Sequence, residues 1–181
     1  MSEDINIIIS ALKYWNIDLK RPDRDYSSRF KIQKLAYLCK SMGMSLNYKF
    51  TLYLNGPYST SLTQDYYQAP KLIENLETDY KFDEKDLNIL DKISEYVLNH
   101  PITLEYESEF LEAVATVRYL KNKYSDMLDD EIFAKTKEIK QHLKDSIIVL
   151  AINTVKKLLF KPEFLTEEAR KEMDIWDKAE D

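Results

Sequence analysis

Only two residues of this 181-residue chain are glycine, Gly43 and Gly56, and both lie within one stretch of the N-terminal third. Glycine alone reaches left-handed backbone conformations without penalty, so a chain this poor in it must mark its unusual turns at those two points. Gly43 follows Ile32, Leu35, Ala36, Cys39 and Met42, an apolar stripe at helical spacing, and stands where a helix ordinarily stops. Gly56 is followed by Pro57, Tyr58 and Ser59, a rigid corner leading from an extended run into the next helix. Gly43, Gly56 and Pro57 are therefore read as backbone devices. The same scarcity removes whole classes of chemistry, because a Walker A loop or a G-x-G-x-x-G turn needs several glycines to bring backbone amides onto phosphate.

Hydrophobic periodicity predicts a mainly α protein. A first helix runs from about Asp4 to Trp15 on Ile5, Ile8, Ile9 and Leu12, and a second starts at Ser28 as N-cap. Tyr48 to Leu54 alternates with period two and is the clearest strand; its expected partner is Tyr80-Lys81-Phe82. Between them Ser61-Leu62-Thr63-Gln64 fits a capping box, and Pro70 interrupts the helix it launches. The order helix, helix, strand, helix, strand resembles a winged-helix head. From Asp83 on the pattern is helical throughout, with stops at Pro101 and Pro162. Asp145 is expected to cap a nearly all-apolar helix over 146–160, and a last amphipathic stretch from Thr166 presents Ala169, Met173 and Trp176. The expected fold is thus a single mainly helical domain over 1–181. Residues 1–82 form a head with a short two-stranded, winged-helix-like β element, and 83–181 form a C-terminal helical bundle extension.

The longest apolar run, Ile147 to Ile152, is far shorter than the roughly 20 residues of a membrane-spanning helix. The acidic start Met-Ser-Glu-Asp lacks the basic and apolar regions of a secretory signal, and one cysteine cannot form an internal disulfide. A cytoplasmic protein with no membrane partner is expected. Net charge is −6 but unevenly placed: residues 1–62 carry nine Lys/Arg against five acids, leaving the remainder strongly acidic.

Candidate chemistry is sparse. Cys39 shares its helix face with Ile32, Leu35 and Met42, which points to a buried thiol, and His100 and His142 stand near helix ends. One Cys and two distant His cannot make a finger-type zinc site, so no metal is expected. Glu105, Glu107, Glu109 and Glu112, and likewise Asp129, Asp130 and Glu131, crowd the starts of helices, where the helix dipole favours acids on a solvated face. Arg24, Arg29, Lys31, Lys34 and Lys40 could meet phosphates, but the helical turn spreads them over more than one face.

The block Lys31-Ile32-Gln33-Lys34-Leu35-Ala36-Tyr37-Leu38 with Gly43, followed by Tyr48-x-Phe50 and Tyr53-x-Asn55-Gly56-Pro57-Tyr58-Ser59-x-x-Leu62-x-x-Asp65, resembles the bacterial and archaeal YwgA-type proteins. Those in turn resemble Panacea-type, SocA-like antitoxin domains. The likeness covers about residues 28–67. It implies a protein without chemistry or small-molecule cofactor that binds another protein, neutralising a toxin or presenting a client to a protease. The residues expected to face that partner are Lys34, Tyr37, Tyr53, Asn55, Tyr58 and Ser59, with no catalytic residues. The alternative is a winged-helix-like DNA-binding regulator that uses the basic head and the helix after Ser59. A homodimer is left open.

Overall fold

The computed structural model describes residues 2–160 and 167–178. Among the described residues the chain is mainly α with one two-stranded antiparallel sheet, and it divides into two compact units, Met1–Glu95 and Tyr96–Asp181. The boundary falls beyond the expected head, because the helix over 84–93 packs with the first unit.

In the first unit, α1 (Asp4–Tyr14) buries Ile5, Ile8, Ile9 and Leu12, the four residues whose spacing foretold it. Helix α2 (Tyr26–Ser41) begins earlier than Ser28. Asp25 is its N-cap and accepts from the Ser28 amide at 2.8 Å, which places Ser28 in the first turn. Gly43, at φ +108°, ends α2 as expected: its amide bonds the Lys40 carbonyl and the Met44 amide reaches back to Cys39, the paired closure of a Schellman motif.

The extended run after Gly43 keeps its alternation, with Met44, Leu46 and Tyr48 buried between exposed Ser45, Asn47 and Lys49. Side chains from two helices supply what a neighbouring strand would. Lys40 Nζ donates to the carbonyls of Leu46 and Tyr48 at 2.9 and 2.5 Å, and Asp4 accepts from the Asn47 amide at 2.6 Å. The pairing expected with Tyr80-Lys81-Phe82 does not form. Instead β1 (Thr51–Tyr53) folds straight back onto β2 (Gly56–Tyr58), with Leu52 opposite Pro57. Gly56 at φ +91° supplies the left-handed residue of this tight turn. Both strands are edges, where a proline is tolerated. The 78–82 segment is occupied elsewhere: Ser10 Oγ donates to the Tyr80 carbonyl at 2.8 Å and Thr78 Oγ1 to that of Asn6 at 3.3 Å, so it lies along α1. The element order is therefore helix, helix, strand, strand, helix, and the strand–helix–strand head of a winged helix is not the observed one.

Ser59, not Ser61, caps α3 (Thr60–Gln68). Pro70 opens α4 (Pro70–Glu74) in its first turn, the position where a missing N–H is harmless. Helix α5 (Glu84–Ile93) returns to α1 through the Trp15 indole, which donates to the Leu90 carbonyl at 3.0 Å.

Helix α5 runs on into a π-helical turn over Ser94–Leu98, and the second unit continues with α6 (Thr103–Lys123), kinked at Tyr106, then α7 (Asp129–Ile139), α8 (Asp145–Leu159) and α9 (Glu167–Lys178). Packing is closest between α6 and α8, and α8 buries Ile147, Ile148, Leu150, Ala151, Ile152, Val155 and Leu158 as its apolar sequence requires. Asp145 is the first helical residue rather than the cap, which falls on Lys144. Asp129, at the start of α7, is held by Lys121 from α6 at 2.6 Å and by Lys156 from α8. Burial pushes its carboxyl up, but these two lysines outweigh that and hold it below the ordinary range. The stop at Pro162, the start at Thr166 and the side chains of Ala169, Met173 and Trp176 lie outside the described residues. Among the described residues no helix is long and apolar enough to cross a membrane.

Candidate functional site

Helix α2, the β1–β2 hairpin and α3 enclose a cleft of about 280 Å³ in the first unit. Its walls are rings: Tyr26 and Phe30 from α2, Tyr53 and Tyr58 from the hairpin, Tyr66 and Tyr67 from α3. These pair off along each element, at centroid separations of 6.3, 5.8 and 5.4 Å, in tilted geometry. Tyr26, Tyr53 and Tyr67 are 58%, 65% and 47% exposed and form an open rim, whereas Tyr66 is sealed into the floor.

The cleft keeps its shape because a buried polar lattice ties α2 to the corner after β2. The Gln33 side chain donates to the Ser59 carbonyl at 2.9 Å and accepts from the Ser59 amide at 2.8 Å. Gln33 donates also to Thr63 Oγ1 at 2.9 Å, and that hydroxyl lies 2.7 Å from the Tyr58 hydroxyl and 3.0 Å from that of Tyr66. Burial raises the Tyr66 pKa despite hydrogen bonds from Thr63 and Gln33, which keeps the phenol neutral. Lys34 donates to the Pro57 carbonyl at 2.9 Å, with its ammonium 5.0 Å from the Phe30 ring centre. At the outer edge Asn55 donates to the Tyr26 hydroxyl at 2.6 Å, bridging the hairpin turn and α2.

The six residues expected to face a partner separate into two groups. Tyr53, Asn55 and Tyr58 line the cleft and are exposed or half-exposed. Lys34 also reaches the lining, but as a buried floor residue, 3% exposed. Tyr37 and Ser59 are interior: Tyr37 packs edge-on against Phe50 at 5.3 Å, and Ser59 is the cap of α3. Sequence reasoning missed Tyr26, Arg29, Phe30, Thr63, Tyr66 and Tyr67 as members of the cleft. The recurrence of aromatics at four-residue spacing, Tyr26 with Phe30, was the available signal on α2.

Elsewhere, Cys39 is fully buried and burial pushes its thiol pKa well up, so it is no nucleophile. His100 stacks on Phe110 at 4.8 Å. The solvated-face reading holds for Glu105, Glu107 and Glu109 but not for Glu112, which is 6% exposed, ion-paired with fully buried Lys140 at 3.2 Å and hydrogen-bonded with His142 Nε2 at 3.0 Å. Glu112 is flanked by Leu111, Ala113, Val114 and Ala115, so its stretch of α6 is interior on every side. Among the described residues no group of three or more His, Cys, Asp or Glu is placed to hold a metal ion.

Fold and cleft together define a mainly helical chain that presents a preformed aromatic recess beside a small hairpin. No family model, no curated protein and no solved structure matches it.

Proposed function

We propose that this protein is a non-enzymatic, cytoplasmic binding module, an antitoxin-like or proteolytic-adaptor-like regulator, that holds a partner protein at the cleft beside the Tyr53–Tyr58 hairpin. The observation that carries the reading is the ring-walled cleft itself. Tyrosine gives large contact area for little lost side-chain freedom, and a rim of exposed tyrosines around a rigid floor is the composition of a protein-recognition hot spot. The resemblance of residues 28–67 to YwgA-type and SocA-like proteins supports it, because that block supplies most of α2, the hairpin and most of α3, the elements that enclose the recess.

DNA binding has less to draw on. Lys34 and Lys40 direct their ammonium groups to backbone carbonyls inside the fold, and Arg21 is paired with Asp23 at 2.8 Å, which reduces the exposed positive charge of the basic head.

Co-expression with the product of the adjacent gene tests the proposal. The expected result is co-purification and relief of any growth inhibition by that product, both lost in Tyr53→Ala. Recovery of the protein alone, with no relief of toxicity, together with retarded promoter DNA at low salt, would replace this reading with the regulator.

A further inference from the structure

The charge of the cleft says what kind of segment fits it. Two cations, Arg29 and Lys34, line it, and no acid does. Their placements differ. Lys34 sits in the floor with its ammonium bonded to Pro57, so it contributes positive potential from a poorly solvated position. Arg29 is half-exposed and oriented in advance: Nη1 donates to the Pro22 carbonyl at 2.8 Å and the guanidinium carbon lies 5.8 Å from the Tyr26 ring centre. The bond to Pro22 and the Tyr26 ring restrain the group while leaving it other donors of its five-donor fork, which matches a carboxylate. The nearest acid in sequence, Asp25, caps α2 by accepting from both the amide and the hydroxyl of Ser28 at 2.8 Å; its charge also acts on Arg29, but it lies outside the cleft lining.

Resting on the protein-binding reading above, we propose that the cleft receives an extended acidic segment of a partner protein, with one carboxylate on Arg29 and a neighbouring aromatic side chain among Tyr53, Tyr58 and Tyr66. The volume suits this occupant. At about 280 Å³ the recess lies at the lower limit of small-molecule sites, near 300 Å³, and takes a side chain while the segment's backbone runs along the tyrosine rim. A nucleic-acid strand would stack on the same rings, but it needs a track of cations for successive phosphates, and of the two cations lining the cleft only Arg29 is accessible, Lys34 being buried.

The test is a titration of the isotope-labelled full chain with three unlabelled peptides, SEFES, SQFQS and SKFKS, and with a thymidine oligonucleotide, followed at the amides of Gly56, Tyr58 and Thr63. SEFES should shift these amides at concentrations about tenfold below those SQFQS requires, SKFKS should leave them unmoved, and added salt should erase the difference. Arg29→Met should abolish the preference while SQFQS still binds, with only the modest fall in thermal midpoint that loss of the bond to Pro22 entails, and Tyr53→Ala should weaken both binding peptides. Equal binding of SEFES and SQFQS overturns the acidic preference while leaving the protein-binding reading intact. No shift with any peptide at about 1 mM, or tighter binding of the oligonucleotide, overturns both.

Discussion

The side-chain amide of Gln33 and the main chain of Ser59 hydrogen-bond in both directions, at 2.9 and 2.8 Å, although 26 residues separate them. A glutamine amide has the donor and acceptor of a peptide group, so α2 here treats the corner after β2 as a strand would. Both residues are buried, and breaking the pair strands polar groups away from water.

Gln33→Glu should therefore destabilise the first unit by about 1–3 kcal/mol, because a carboxylate cannot donate to the Ser59 carbonyl or to Thr63. Hydrogen exchange at Ser59 and Leu62 is the measurement; unchanged protection there would show that the pair does not hold the corner. Cleft binding should fall in parallel.

Asp65 gives the first unit an acid limb. Burial raises its carboxyl, but hydrogen bonds from Ser2 and from the Tyr48 hydroxyl, the latter at 2.8 Å, outweigh burial and hold the pKa below the ordinary 3.8. A carboxyl lowered on folding contributes stability that is complete above its unfolded value and is lost as pH falls through the folded one. Stability should thus decline below about pH 4, and Asp65→Asn should lie lower at neutral pH with a shallower acid slope. Urea midpoints across that range decide it; parallel curves for the two proteins would refute it.

In the second unit, Lys140→Met should cost about 3–5 kcal/mol by leaving the Glu112 carboxylate buried without its ammonium partner, whereas Glu112→Leu combined with Lys140→Met should recover most of the loss. Hydrogen exchange in α6 and α8 is a better readout than one global midpoint, since two units need not unfold together. A double variant as weak as the single one would mean that the ion pair contributes more than an apolar contact would.

Gly43→Ala isolates backbone strain from packing. A β-carbon at Gly43 meets nothing within 4 Å, yet φ is +108°, so the expected loss of about 1–2 kcal/mol comes from conformation alone. Gly43→Asn should lose less. Equal thermal midpoints for all three proteins would remove the argument.

What could be read from the sequence was what local periodicity and backbone sterics decide. The apolar faces of α1, α2 and α8, the stop at Gly43, the interior position of Cys39 and the mainly helical class all follow from spacings of three and four residues and from one residue's freedom at positive φ. Tertiary structure decided the rest. Tyr48 to Leu54 looked like a strand in need of a distant partner. Gly56 instead turned it back on itself, and Lys40 and Asp4 satisfied the part left unpaired. Lys34 and Ser59 were expected to face a partner because they fall in the block that resembles YwgA-type proteins, and are buried because α2 packs against the corner after β2, where Lys34 bonds Pro57 and Gln33 bonds Ser59. Glu112 differs from exposed Glu105, Glu107 and Glu109 in its apolar neighbours Leu111, Ala113, Val114 and Ala115, but the partners that sustain its burial, Lys140 and His142, reach it only in the folded chain. A pattern along the chain reports which face of an element is apolar. Which polar groups meet across that face depends on distances the chain closes only when folded, and that is where this cleft is made.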